Sequence, residues 1–325
     1  GYSDLLFSRI KLNWDKARDK FNQVLKNINR QNYDFDNDFI LKTCLMIFAQ
    51  KSEDIKYSVN NFSSERINMI KNNWGKIEES INFTISLLDK FMLNNPKLIP
   101  SYNALIPITY WKYKSEKKSF RYDQSPHIYS IMRVWLVKAL LSGIFGGQSD
   151  AVLYKCKQTI DDNDKKEIFP AGEIENSLEG MKGKSMVIDP NIILDKIYYN
   201  SKESYLILSI CYKGAINFNP RYHRNVPEQD HIFSKNELKN AGIIDEKIIT
   251  KIYNIRYVEL YENRAKSCDI FKEWIDGLKD KDLTFQTHFM PGENWDTKTF
   301  ETFLQERKKM MLEKFKYEGL VVQVT

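Results

Sequence analysis

From Ser8 to about residue 205, apolar residues recur at the three- and four-residue spacing of amphipathic helices, and the alternating runs typical of strands are few. This periodicity constrains the fold more than any other feature. Apolar residues at helical spacing would not all fall on one face of a strand, so they cannot form the buried face of a sheet. The clearest case runs from Ser63 to Met92 and is ended by Asn95-Pro96. Its predicted buried stripe comprises Ile67, Ile70, Trp74, Ile77, Ile81, Ile85, Leu88 and Phe91.

The pattern changes near residue 213, where Gly, Asn, Pro and His cluster and the helical periodicity is lost. We therefore predict a helical domain over residues 1–212 and a second domain over residues 213–325. The predicted fold class is mainly α, with a small α+β element in the second domain. Its expected elements are a helical stretch (Lys235–Tyr253), a short strand (Arg256–Leu260), a helix (Tyr261–Leu278) and a last helix (Thr297–Phe315).

The composition indicates a folded chain, because 42% of the residues are hydrophobic and 28% are charged. The longest apolar run, Ile131–Phe145, contains Arg133 and Lys138. A membrane span needs about 20 residues with few or no charges, so no transmembrane helix is expected. The net charge of +6 is a mild bias toward polyanionic partners and decides nothing by itself.

The cysteines indicate a reducing compartment. They are far apart and form no C-x-x-C pair, so we expect free thiols rather than a metal site or a disulfide framework. The N-terminal stretch has no basic region leading into an apolar segment, and it begins with Gly1 rather than Met. We predict a cytoplasmic location, and Gly1 in place of Met indicates a tag remnant, a processed chain or a piece of a longer chain. The cysteines are Cys44, Cys156, Cys211 and Cys268.

The residues that indicate chemistry lie in the second domain. An Asp-His pair, Asp230-His231, ends one predicted strand, a second strand follows, and Asn263 lies in the first turn of the next helix. This order is the layout of a ββα-metal nuclease finger. A histidine with an unperturbed pKa of about 6.5 is largely neutral at cellular pH and can accept a proton from water, which makes His231 the predicted general base.

Asp230 and Asn263 supply one carboxylate and one amide oxygen, the hard ligands that suit Mg²⁺ or Mn²⁺. One of these two ions is the predicted cofactor. An Asp-His dipeptide alone is a weak signal, and a structural histidine would be the better explanation of it. The addition of Asn254 and of Asn263 at compatible spacing favours a nuclease site.

These residues also resemble a known family. The run Asp230–Ser234 is similar to the Asp-His-Ile-Phe-Pro run that introduces the HNH nuclease domain of GmrSD-like restriction and phage-defence proteins, with Ser234 in place of the proline. Further stretches resemble the helical region of that family, so that the likeness covers about residues 2–275. These stretches are Tyr2–Ser8, Trp14-Asp15, Phe35–Lys42, Arg133–Trp135 and Gly143–Gly147.

The resemblance implies a metal-dependent DNA endonuclease or nickase that restricts foreign or phage DNA. It also implies an N-terminal ParB-like, nucleotide-dependent domain, which these residues lack and which would be a partner of the chain. The implied catalytic residues are His231, the general base, and Asn254, which braces the finger. Asp230 and Asn263 would bind the metal, and Arg264 and Lys266 would contact DNA phosphates.

Two other functions remain open. The finger could be a catalytically inactive DNA-binding or partner-docking module, and retention of the histidine and both oxygen ligands argues against this without excluding it. The same site chemistry would also serve an RNA-directed nuclease, because both nucleic acids present the same phosphodiester linkage.

Overall fold

A computed structural model describes residues 2–31, 33–115, 126–147, 149–212, 227–258, 270–292 and 294–317. The chain divides into two compact units, Gly1–Val187 and Ile188–Thr325. Helices make up most of the described residues, and the strands form one small two-stranded sheet. The prediction of a mainly helical chain is therefore confirmed.

Within the described residues of the first unit, the regular elements are α-helices and short 3-10 segments, joined by turns and irregular loops. Its α-helices are α1 (Tyr2–Lys11), α2 (Ala17–Ile28), α3 (Asn37–Phe48), α4 (Ser64–Asn72), α5 (Trp74–Lys90), α6 (Ile106–Lys114), α7 (Pro126–Ser142), α8 (Ser149–Asp162) and α9 (Ala171–Glu179).

The predicted helix from Ser63 to Met92 is present as two helices, α4 and α5, which meet at Asn73. Ser63 begins α4, and its side-chain oxygen accepts a hydrogen bond from the backbone N–H of Arg66 at 3.2 Å. All eight residues of the predicted stripe are buried, as expected. Trp74 joins the stripe to α2, because its ring stacks on Phe21 with centroids 4.7 Å apart.

The second unit contains the sheet. Its elements are α10 (Pro190–Lys196), α11 (Ser204–Cys211), β1 (Glu228–His231), α12 (Lys235–Asn240), α13 (Glu246–Ile249), β2 (Ile255–Val258), α14 (Phe271–Asp276), α15 (Lys281–His288) and α16 (Phe300–Tyr317). A 3-10 turn, Ile252–Asn254, leads directly into β2.

One predicted helix of this unit is wrong in its extent, because Lys235–Tyr253 is broken after α12. Gly242 adopts a left-handed conformation with φ of 88°, and the N–H of Ile243 returns to the carbonyl of Leu238 at 2.9 Å. This 6→1 hydrogen bond ends a helix, and glycine permits it at no steric cost. The start of the helix predicted at Tyr261 lies outside the described residues.

Phe233, two residues after β1, is at the centre of the second unit's core. Its ring stacks on Phe271 of α14 with centroids 4.2 Å apart and planes 9° apart. Phe300 and Phe303 of α16 contact the same ring edge-on at 5.2 and 5.1 Å. The segment that follows β1 is therefore packed against α14 and α16.

The two compact units divide between Val187 and Ile188, whereas the predicted domain boundary lies at residues 212 and 213 and stays a prediction. Helices α10 and α11 belong to the second unit and pack on α16. Asp195 of α10 accepts hydrogen bonds from Tyr253 Oη at 2.5 Å and from Lys308 Nζ at 2.8 Å. Helical periodicity continues through both helices, so the sequence could not reveal which unit they join.

Two further expectations concern the location of the chain. In the ranges that the structure describes, no helix is long and apolar enough to cross a membrane. Cys44, Cys156 and Cys211 are buried free thiols, as predicted for them, whereas Cys268 lies outside those ranges.

A comparison of two fragments distinguishes a domain boundary at residue 187 from one at residue 212. We expect residues 188–325 to unfold cooperatively in urea, because α10 and α11 complete the core around α16. A fragment of residues 213–325 lacks both helices and should show no cooperative transition. Circular dichroism during the titration measures this, and equal cooperativity of the two fragments would contradict a boundary at residue 187.

Candidate active site

One predicted metal ligand and the predicted base are the last two residues of β1, Asp230 and His231. Strands β1 and β2 pair antiparallel, with Asp230 opposite Arg256 and His231 opposite Ile255. Strand β1 is polar in sequence, so its conformation depends on pairing with β2, all four residues of which are buried. The Asp-His pair therefore lies at the end of a strand, where the sequence predicted it.

His231 is the last residue of β1 and is half-buried. Its ring lies against that of Tyr199, with centroids 4.7 Å apart and planes inclined by 43°. Burial raises the pKa of Tyr199, and the nearby carboxylates of Asp230 and Glu228 raise it further, so the phenol stays protonated at neutral pH.

Asp230 forms a cross-strand ion pair. Its Oδ2 accepts a hydrogen bond from Nε of Arg256 at 2.8 Å, with the arginine side chain fully buried and the aspartate side chain 12% exposed. A buried guanidinium requires a partner of opposite charge, and Asp230 supplies it. A divalent cation at this position would share the carboxylate with Arg256.

The ion pair continues into a buried polar network. The guanidinium of Arg256 lies 4.2 Å from the ring centre of Trp274, and its Nη1 is 3.4 Å from Nε2 of His288. Because a guanidinium only donates, Nε2 accepts and the ring hydrogen of His288 lies on Nδ1. That Nδ1 is 3.1 Å from Tyr212 Oη, which also accepts from Nη2 of the buried Arg307 at 3.4 Å.

Asn254 is fully buried and joins three backbone segments. Its Oδ1 accepts from the N–H of Phe233 at 3.0 Å, and its Nδ2 donates to the carbonyls of Phe233 at 3.1 Å and Ile249 at 2.9 Å. Its own carbonyl accepts from the N–H of Ile232 at 2.8 Å. Asn254 thus fixes the backbone directly after His231 and has its amide fully engaged in doing so.

Ser234 begins α12. Ser234 Oγ accepts a hydrogen bond from the N–H of Glu237 at 3.2 Å, the geometry of a helix N-cap. Glu237 in turn accepts from the N–H of Phe271 through Oε2 at 3.0 Å. Ser234 therefore starts a helix that braces α14.

Three of the predicted site residues, Asn263, Arg264 and Lys266, lie outside the described residues. The other three, Asp230, His231 and Asn254, are brought together at the β1–β2 edge. Within the described ranges, no group of three or more His, Cys, Asp or Glu side chains could hold a metal ion. Asp230 is thus the one predicted ligand with a described position, and its carboxylate is of the type that Mg²⁺ and Mn²⁺ prefer.

Sequence reasoning missed Tyr199, Arg256 and His288. A signal existed for Arg256, since a charged residue inside the apolar run of β2 must find a buried partner. No local signal marks Tyr199, which lies in the segment assigned to the first domain. His288 had no partner that its neighbours in the sequence could indicate, because Tyr212 and Arg256 are far from it along the chain.

Asn254 can be tested by an isosteric change. Asn254→Asp replaces the donating amide by a carboxylate that faces the carbonyls of Phe233 and Ile249. We expect the free energy of unfolding to fall by roughly 3 kcal/mol or more, the cost of leaving two buried acceptors without donors. Urea titration measures it. Lower pH should reduce this loss of unfolding free energy, because a protonated carboxyl group can donate a hydrogen bond again.

The matched control is Asn240→Asp, since Asn240 is exposed at the end of α12. Its cost should stay within about 1 kcal/mol, the usual size of a charge effect at a helix end. Equal destabilisation by the two changes would contradict the bracing role of Asn254.

The Asp230–Arg256 pair can be tested by a double-mutant cycle. Arg256→Met alone should cost roughly 3–5 kcal/mol, because it leaves the partly buried carboxylate without its cation. Adding Asp230→Asn should then cost at least about 1 kcal/mol less than it does in the wild type. Unfolding free energies of the four proteins measure this coupling, and strictly additive effects would refute the pair.

Neither the models of known protein families nor the curated proteins match this chain significantly. The likeness to the GmrSD-like family therefore stays a hypothesis, carried by the motif residues alone. The geometry of Asp230, His231 and Asn254 is independent of that likeness.

Proposed function

We propose that this protein is a metal-dependent endonuclease or nickase of the HNH type that hydrolyses DNA phosphodiester bonds. The observation that carries the proposal is the position of His231. It ends β1 next to Asp230, it is only partly buried although its Nε2 is enclosed, and the backbone that follows it is fixed by the amide of Asn254. A general base needs a fixed orientation of this kind.

In the proposed reaction, the imidazole of His231 accepts a proton from a water molecule while the water oxygen attacks the phosphorus. Asp230, oriented by Arg256, and Asn263 would hold Mg²⁺ or Mn²⁺. The ion, when bound, stabilises negative charge on the phosphate and on the departing sugar oxygen. The protein itself has little covalent chemistry to supply, so positioning accounts for most of its contribution.

The expected substrate is DNA, and restriction of foreign or phage DNA is the expected role. Arg264 and Lys266 would neutralise phosphates next to the site, because backbone contacts supply most of the affinity of proteins for nucleic acids. The proposed recognition function would reside in an additional nucleotide-dependent domain rather than in these basic residues.

One observation favours the alternative of an inactive DNA-binding or partner-docking module. The bond from Arg256 to Asp230 gives this aspartate a structural role that needs no metal. A protein of that kind would bind DNA and leave it uncut with either cation, whereas the nuclease requires cleavage that depends on the cation.

The nuclease proposal is tested by plasmid nicking with Mg²⁺ or Mn²⁺. We expect His231→Ala to lower the rate of cleavage by about 10²- to 10⁴-fold, the usual contribution of a general base. DNA affinity should change little, because phosphate contacts dominate it. Gel electrophoresis measures cleavage, and fluorescence anisotropy measures binding.

The matched control is His127→Ala, because His127 is exposed on α7 in the first unit. This variant should cut like the wild type. Full activity of His231→Ala, or intact plasmid with the wild type under both metals, would exclude the proposed function.

A further inference from the structure

Tyr199 lies against the ring of the proposed base. We propose that Tyr199 is a positioning residue that holds the imidazole of His231 in its reactive orientation, an inference that rests on the proposed nuclease function. The two ring centroids are 4.7 Å apart, and the planes are inclined by 43°. This is within the range of favourable aromatic pairs, so the contact stabilises one orientation of the imidazole over others.

The backbone around Tyr199 is fixed to the elements on both sides of His231. The N–H of Tyr199 donates to the carbonyl of Thr250 at 2.8 Å, directly after α13. Tyr198 forms an antiparallel bridge with Lys251. Tyr199 therefore cannot shift without disturbing the turn that leads into β2.

A second set of bonds connects this segment to β1. Asn200 adopts a left-handed conformation with φ of 59°, and its N–H donates to Oε1 of Gln229 at 2.9 Å. Gln229 is buried, and its Nε2 donates to Oγ of Ser204 at 2.7 Å. Gln229 is two residues before His231 on the same strand. The segment that carries Tyr199 is therefore attached to the strand that carries His231.

The contact between Tyr199 and His231 is one between their two rings. Lys235 also lies over this ring, with Nζ 5.6 Å from the centroid, which is within the range of a cation–π interaction. Removal of the aromatic ring should therefore abolish the effect on His231, and removal of the hydroxyl alone should preserve it.

Positioning of this kind affects the chemical step. A base accelerates proton transfer only when its nitrogen lies within hydrogen-bond reach of the attacking water. A displacement of about 1 Å can cost about 100-fold in rate. His231 is at the end of a short strand and is half exposed, so backbone pairing alone does not select the rotation of its ring.

The test compares Tyr199→Leu with Tyr199→Phe in plasmid cleavage by the full chain. We expect Tyr199→Leu to lower kcat by roughly 10- to 100-fold with little change in KM, because the ring acts on the chemical step. Tyr199→Phe should retain most of the activity. Tyr198→Leu is the control, because Tyr198 is an adjacent half-buried tyrosine.

A double-mutant cycle separates positioning from a general structural role. In a His231→Ala background, Tyr199→Leu should cause no further loss, since it acts only through the imidazole. Equal losses in both backgrounds would overturn the inference, and so would unchanged kcat in Tyr199→Leu. An inactive wild type would defeat the nuclease proposal and this inference together.

A spectroscopic measurement tests the contact itself. The chain contains four histidines, so selective labelling resolves the imidazole protons of His231 by NMR. Tyr199→Leu should remove the ring-current shift of these protons, whereas Tyr198→Leu should leave it in place. An unchanged His231 spectrum in Tyr199→Leu would show that the two rings are not in contact and would overturn the inference.

Discussion

The second unit is organised around one buried cation. Arg256 has no exposed surface, and burial of a guanidinium is costly unless anions, hydrogen-bond acceptors or aromatic faces surround it. Asp230, His288 and the ring of Trp274 provide these three kinds of partner. The requirements of Arg256 thus connect β1, α14 and α15, and they set the orientation of the aspartate beside the proposed base.

A second constraint acts on the backbone. Asn254 bonds to the segment after β1 and to the end of α13, so β1, the following loop and the turn into β2 form one connected frame. His231 is attached to this frame through its main chain, and Tyr199 contacts its ring. The rigid parts of the site are therefore buried polar groups, and the proposed reactive group is attached to them at the end of a strand and is partly buried.

The long helices were predictable because the apolar stripe of α4 and α5 repeats over many turns. Short elements span too few residues to show such a repeat, so the sequence indicates them less clearly. Strand β1, with the sequence Glu-Gln-Asp-His, has no strand propensity and is stabilised by its partner. The Asp-His pair could be found by motif alone. The contact of Tyr199 with His231 and the pairing of Arg256 with Asp230 could not, because they join residues distant in sequence.

In the proposed function, Asp230 and His231 lie beside a divalent cation. A Mn²⁺ titration followed by NMR tests this placement, because paramagnetic broadening is confined to nuclei near the bound ion. We expect the signals of Asp230 and His231 to be lost at low Mn²⁺, before those of other residues. Unbroadened signals at saturating Mn²⁺, or broadening centred elsewhere, such as around Glu246, would contradict it.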